Sequence, residues 1–212
     1  VCLASPLRDV YKRQLLERAL TDVWVDQTMS WRRRRDKRPH AAPMERWKMR
    51  VHLLRQRMLL LVQQLLAFYT IEIIEPNWHE LERKLHEAQS VDQFMKHHFD
   101  FLNTCRKECM LTDYRYLECH RKLMNTITAF TESKPRFAEQ CEAMQQAVDA
   151  WYEQGDEAAP PPALVDDGDI LTKIEASWNK HSRTFRDVVN LLSTTDNPAA
   201  LPLAYRLQTT LR

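Results

Sequence analysis

Residues 43–76 read PMERWKMRVHLLRQRMLLLVQQLLAFYTIEIIEP and decide the fold. Apolar side chains recur here at alternating intervals of four and three residues, which is the spacing of one face of an α-helix. The stripe consists of Trp47, Val51, Leu54, Met58, Leu61, Leu65 and Phe68. A helix of about 30 residues, roughly 45 Å long, is therefore predicted. It should end at Glu75, because Pro76 disfavours helical backbone at the residue before it.

The glycine content extends this prediction to the whole chain. Only two of the 212 residues are glycine, Gly155 and Gly168, and both lie in one acidic, proline-rich stretch. Tight strand turns and phosphate-binding loops need glycine for their positive φ angles. The sequence therefore predicts an all-α fold of about seven helices in an irregular bundle, with one long helix and no sheet.

Helix boundaries are marked by capping residues. Asn77 is expected to cap a new helix after Pro76, with Glu80 reaching back to it. Ser90 and Gln93 form a capping box for the next helix, and Thr112 or Asp113 caps the one after. Apolar stripes at helical spacing follow these starts and are predicted to pack into the core. They include Trp78, Leu81 and Leu85, then Val91, Phe94, Met95, His98, Phe101, Leu102, Cys105 and Cys109.

Three stretches do not follow the helical pattern. Residues 1–14 (VCLASPLRDVYKRQ) resemble translated adaptor sequence and are interpreted as a non-native leader. Residues 30–43 are basic, and residues 153–169 are acidic and contain three consecutive prolines, so both are predicted to be loops. Residues 15–212 are therefore interpreted as one partial helical domain.

The net charge of +2 hides an asymmetry, since residues 1–60 carry +9 and the remainder −7. A solvated basic loop explains the excess and is favoured, although an acidic partner near the N-terminus would also fit. The run at 32–38 (RRRRDKR) leaves a nucleic-acid-associated helical protein as the alternative function. No nucleic-acid-binding motif accompanies this run, so binding of nucleic acid is not expected.

Motifs for catalysis, cofactors or metals are not evident. No phosphate-binding loop, nucleophile elbow or dinucleotide fingerprint is present. Cysteines 105, 109 and 119 with His120 could suit zinc, but two of them continue an apolar stripe, where free cysteine packs as a small hydrophobe. Core packing is therefore favoured over a zinc-stabilised enzyme fragment. Adjacent helical residues point about 100° apart, so His97 and His98 cannot converge on one ion. No membrane span or signal peptide is predicted.

Residues 53–81 (LLRQRMLLLVQQLLAFYTIEIIEPNWHEL) resemble a signature of the gamma-tubulin complex component family. Two further patches agree in order and spacing: residues 90–111, and Ile174–Trp178 with Arg206 and Leu207. Within the family these motifs are most similar to the component 2 branch. The family's closing motif departs here at residues 208–210. The matching motif residues are Leu54, Arg55, Met58, Tyr69, Glu72, Glu75, Pro76, Trp78, His98, Phe101, Leu102 and Cys105.

The resemblance implies the helical C-terminal domain that binds gamma-tubulin, in a non-catalytic scaffold for microtubule nucleation. Implied partners are gamma-tubulin and other complex components, and no cofactor, metal, small-molecule substrate or membrane is implied. The implied location is the cytoplasm, at a microtubule-organising centre such as the centrosome or spindle pole. Apolar motif residues, including Trp78, are expected to fix the packing of the helices. Polar ones, including Arg55, Glu72 and Asn77, are expected at the surface or at caps.

Overall fold

The computed structural model describes residues 14–22, 41–154 and 170–210, and within these ranges the chain is helical and contains no strand. The all-α prediction is therefore confirmed. Of the leader predicted at 1–14, residues 1–13 lie outside the described residues, as do the basic run at 32–38 and most of the acidic loop, whereas Gln14 begins the first helix. The elements are α1 (14–22), α2 (Ala42–Ala67), a π-helical segment (Phe68–Ile74), α3 (Glu75–Glu87), α4 (Val91–Glu108), α5 (Tyr114–Glu132), α6 (Lys134–Gln154), α7 (Ile170–Thr195), a 3₁₀ turn (Pro198–Ala200) and α8 (Leu201–Thr210).

Helix α2 forms the core with the stripe that its sequence predicts. All seven stripe residues are at most 2% exposed, and they join one hydrophobic cluster with residues of α5 to α8. Taken together with α3, this helix is long and apolar enough to cross a membrane by length and composition alone. A helix that is buried in the core of a protein can meet the same two criteria of length and apolar composition. On its polar side Arg50 forms an ion pair of 2.6 Å with Glu175, which joins α2 to α7.

The prediction that the long helix ends at Glu75 is wrong. Glu75 has helical angles (φ −62°, ψ −49°), and α3 begins there without a break. The amide of Glu75 donates to the carbonyl of Thr70, five residues back, instead of four. Such a π-helical turn is wider than an α-turn, and Pro76 then falls in the first turn of α3. Proline is tolerated in a first turn because no intrahelical donor is needed there.

Asn77 is consequently not an N-cap, contrary to prediction. The side-chain amide nitrogen (Nδ2) of Asn77 donates to the carbonyl of Ile73 (2.8 Å) and to the carboxylate of Glu108 (2.6 Å) at the end of α4. The caps predicted at Ser90 and Asp113 are confirmed, although the side chain of Gln93 accepts from the amide of Gln89 (2.8 Å) and not from that of Ser90. Ser90 accepts a bond from the amide of Gln93, and Asp113 accepts one from Tyr116.

Helix α4 ends in a Schellman motif built on an unusual residue. Met110 has φ 59°, in the left-handed region that favours glycine. The amide of Met110 donates to Lys107 and that of Leu111 to Arg106, which closes the end of the helix. Because the Met110 side chain is 2% exposed, its burial offsets a strain of about 1–2 kcal/mol.

Asn197 completes this end of α4 from a distant part of the chain. The side-chain amide nitrogen (Nδ2) of Asn197 donates to the backbone carbonyls of Glu108 (2.7 Å) and Lys107 (3.2 Å), and this side chain is buried. Terminal helix carbonyls have no partner within their own helix, so a side chain supplied from elsewhere satisfies them. Asn197 thereby joins the start of the 3₁₀ turn to α4.

Helix α8 is tied to the π-helical segment by a second long-range polar contact. The guanidinium of Arg206 lies 2.5 Å from the carboxylate of Glu72, and both side chains are partly buried. Glu72 and Arg206 belong to separate sequence motifs, so this ion pair brings together two patches that are 134 residues apart.

We expect Asn197→Ala to lower the free energy of unfolding by about 1–3 kcal/mol, because the partly buried carbonyl of Glu108 loses the side-chain amide that donates to it and the carbonyl of Lys107 loses one of its two donors. Urea denaturation followed by circular dichroism measures this. Asn103→Ala, an exposed position on α4, is the matched control and should change stability by less than about 0.5 kcal/mol. Equal effects of the two substitutions would contradict the capping role of Asn197.

A double-mutant cycle with Glu72→Gln and Arg206→Gln should give a coupling energy of about 1 kcal/mol, because the pair is partly shielded from water. The exposed pair Arg115–Asp196, separated by 3.5 Å, is the control and should couple by roughly 0–0.5 kcal/mol. The same urea titrations provide both values. A coupling no larger for the first pair than for the second would refute the tie between α8 and the π-helical segment.

Candidate protein-binding surface

Helices α3 and α4 form an antiparallel hairpin whose main contacts are with each other and with the π-helical segment. Only Leu81 in α3 and Cys105 in α4 are buried. The rings of Trp78 and Phe101 meet edge to face, with centroids 6.0 Å apart, and hold the base of the hairpin together. The hairpin therefore has little core of its own and presents most of its surface outward.

Large apolar side chains cover much of that outward surface. Five of them are 47–78% exposed, and we call them the hairpin patch: Trp78, Val91, Phe94, Met95 and Phe99. Clustered exposed apolar side chains mark interaction sites on proteins, whereas single scattered ones are normal on a surface. Val91, Phe94 and Met95 share one helical face by their spacing of three and four residues.

The hairpin patch corrects the sequence interpretation of these residues. Trp78, Val91, Phe94 and Met95 were predicted to pack into the core, and they do not. The physical reason is that α3 is the main neighbour of α4 and lies along one side of it, as the contact of Trp78 with Phe101 shows. One neighbouring helix covers only part of the apolar surface of α4. Periodicity identified the apolar face correctly, but it could not show that no described helix covers this face.

Most motif residues of α2 and the π-helical segment are buried and contribute to the packing of the helices. Leu54, Met58 and Tyr69 are at most 2% exposed, and the hydroxyl of Tyr69 hydrogen-bonds that of Tyr116 in the core. Arg55 was predicted at the surface but is only 3% exposed. It donates to the carbonyl of Leu20 at 3.3 Å, which anchors α1 to α2. Burial lowers the pKa of its guanidinium.

The remaining motif residues lie along the hairpin and at its base. Glu72 pairs with Arg206, whereas Glu75 and Pro76 are exposed where α3 begins. His98, Phe101 and Leu102 are half-buried on α4. The structure therefore brings Trp78, Phe101 and the other α4 residues into one hairpin, while the motif residues of α2 lie in the core.

The cysteines of this region pack as small hydrophobes. Cys105 and Cys109 are buried free thiols, and burial raises the pKa of Cys105 to about 11. A thiol with such a pKa is protonated at neutral pH and is a poor nucleophile or metal ligand. Among the residues that the structure describes, no group of three His, Cys, Asp or Glu side chains is placed to hold a metal ion.

The outer face of α3 differs sharply from the hairpin patch. Glu80 forms ion pairs with Arg83 (2.7 Å) and Lys84 (3.1 Å), and Arg83 also pairs with Glu87. Hydrogen bonds from Arg83 and Lys84 lower the pKa of Glu80 to about 2. Such exposed pairs contribute little to stability, but they mark this face as one that faces water.

Phe99 was the one member of the hairpin patch that no sequence pattern singled out. A signal was nevertheless present, because Phe99 and Phe101 widen the apolar arc of α4 to about 160° of the helix circumference, at about 100° per residue. A helix with so broad an apolar surface has more of it than one neighbouring helix can cover. This excess could have indicated a second, outward apolar face.

Comparisons with known proteins agree with the fold. The sequence pattern of the family described as "Gamma tubulin complex component C-terminal" matches residues 11–210. The spindle pole body component alp4 of Schizosaccharomyces pombe is 31% identical over 194 residues, covering 91% of this chain and 23% of that protein. Gamma-tubulin complex component 2 of Mus musculus is 31% identical over 154 residues, covering 73% of this chain and 16% of that protein.

A further similar protein is the gamma-tubulin complex component 2 homolog of Drosophila melanogaster, 36% identical over 110 residues, which are 52% of this chain and 12% of that protein. The chain thus spans less than a quarter of the length of these relatives. The match nevertheless includes all the described helices, and the predicted resemblance is confirmed. The chain belongs to the gamma-tubulin complex component family, within its C-terminal region.

Proposed function

We propose that this chain is a gamma-tubulin-binding module and that it contacts gamma-tubulin through the hairpin patch. In this proposal it is a non-catalytic scaffold of a gamma-tubulin complex that nucleates microtubules. The observation that carries the proposal is the exposed apolar surface of α3 and α4, which lies within the family's sequence signature. Any nucleotide chemistry belongs to the tubulin partner.

The burial pattern supports this choice of surface. Apolar side chains that are 47–78% exposed on a hairpin with two buried residues contribute little to the stability of this fold. Trp, Phe and Met are also enriched in the desolvated centres of protein interfaces, where they fill pockets of the partner. The charged outer face of α3 would then lie at the rim, where ion pairs influence association rate more than affinity.

The names of the relatives guide the proposed cellular setting. One is a spindle pole body component, and others are gamma-tubulin complex components. We accordingly place the chain in the cytoplasm, at a microtubule-organising centre such as the centrosome or spindle pole. Its partners there would be gamma-tubulin and other components of the complex, and residues 15–212 would form part of the binding domain.

Phe94→Asp should weaken binding of purified gamma-tubulin by at least about tenfold, because a buried apolar contact is replaced by a desolvated carboxylate. The dissociation constant can be measured by biolayer interferometry on the immobilised 212-residue chain. Phe94 is half exposed, so the substitution should leave the helical circular dichroism spectrum unchanged.

Leu191→Asp is the matched control, since Leu191 on α7 is as exposed (47%) as Phe94 and lies outside the hairpin patch. It should leave the affinity within about twofold of the unsubstituted chain. Alpha/beta-tubulin serves as the specificity control and should not bind. Binding that survives Phe94→Asp would remove the hairpin patch as the contact surface. Failure of the folded chain to retain gamma-tubulin would refute the proposed function itself.

A further inference from the structure

A groove between α5 and α7 carries positive charge and is separate from the hairpin patch. Its volume is about 320 Å³, and it is open to solvent. The polar side chains that line it are Lys122, Asn125 and Thr126 from α5, and Lys173, Ser177 and His181 from α7. None of the residues lining it is acidic. The α7 residues recur every four positions, so they form one row along the groove.

Hydrogen bonding fixes the state of the histidine in this groove. The Thr126 hydroxyl donates to the carbonyl of Lys122 at 3.0 Å, so its single proton is already used. Its oxygen lies 2.9 Å from Nδ1 of His181, and with the hydroxyl proton directed at Lys122 we assign Nδ1–H as the donor of this second bond. Thr126 is only 6% exposed, which holds this arrangement in place. In the neutral ring the lone pair is then on Nε2, and protonation turns Nε2 into a second donor.

The charges around the groove favour an anion. Lys122 also pairs with Glu118 at 3.2 Å, whereas Lys173 forms no ion pair with any residue in the described ranges. Partial burial, Lys180 and Lys122 lower the pKa of His181, in that order of effect. Lys180 lies on α7 itself and Lys122 on the facing helix, and no carboxylate contributes to this effect. A bound anion would offset the repulsion between these two lysines and a positively charged His181, and it would therefore favour the protonated ring.

We propose that this groove binds a carboxylate side chain of an acidic peptide segment, held by Lys122, Lys173 and protonated His181. A peptide fits better than a nucleotide, because no aromatic ring lines the groove to stack on a base. The volume is at the low end for small-molecule sites, which suits one side chain and its flanking backbone. Asn125 and Ser177 add neutral groups that can hydrogen-bond that backbone.

The test uses a fluorescein-labelled decaglutamate peptide and the 212-residue chain, with fluorescence anisotropy at constant ionic strength. Lys173→Glu should weaken binding by about tenfold or more at about pH 6, because it replaces the unpaired cation with a like charge. Arg183→Glu is the matched control: it is an equally exposed cation on α7 that does not line the groove, and it should change the affinity by less than about twofold.

The pH dependence gives a second, independent readout. Affinity should fall as pH rises from about 5.5 to about 8, because His181 loses its charge and its Nε2 donor. His181→Gln keeps a hydrogen-bond partner for Thr126 and should remove most of this dependence. In a nuclear magnetic resonance titration, saturating peptide should raise the pKa of His181.

Equal weakening by Lys173→Glu and Arg183→Glu would overturn the proposal, since it would show general attraction to a basic chain. An unchanged pKa of His181 in the presence of bound peptide would overturn it as well. Displacement of the peptide by millimolar inorganic phosphate, but not by free glutamate, would show that the groove is a phosphate site and not a carboxylate site. None of these results depends on whether the chain binds gamma-tubulin.

Discussion

The rest of the structure depends on how one long helix passes Pro76. An ordinary α-turn at this position would lose a backbone hydrogen bond and would force the proline ring against a carbonyl. The π-helical segment solves this by widening the turn, so that α2 continues into α3 without leaving the core. A sharp break here would allow α3 to fold back over the bundle. Because the helix continues instead, α3 extends past the turn, and α4 packs mainly along it.

Long-range polar contacts then fix the elements around this axis. Arg50 joins α2 to α7, Arg206 joins α8 to the π-helical segment, and Asn197 closes the end of α4. Each contact connects residues that are far apart in the sequence, and each involves a group that is partly or fully buried. Hydrophobic burial supplies the main driving force but has no direction, whereas these contacts specify how the helices are arranged.

Sequence periodicity predicted the helices and the buried stripe of α2 because every stripe residue contacts the core through its own helix face. It failed at Pro76, since a proline rule based on α-turns does not foresee a turn bonded five residues back. It also failed at Phe94 and Met95, because a pattern shows which face is apolar but not whether another helix covers that face. Arg55 was misplaced for a related reason, as only the fold brings the carbonyl of Leu20 to its guanidinium. Likewise, Lys122 and Lys173 lie on helices separated by α6, so their convergence could not be read from the sequence.

The packing of α2 against α8 has a consequence for synthesis on the ribosome. Helix α2 is complete by Ala67, but α8, which covers part of its apolar side, begins only at Leu201. At a translation rate of about 5–20 residues per second, roughly 7–27 s pass between these two points. During that interval α2, whose apolar stripe forms the core, has not met all of its partners. The nascent chain is therefore a natural client for a chaperone that shields an amphipathic helix, and slower translation would lengthen this period of exposure.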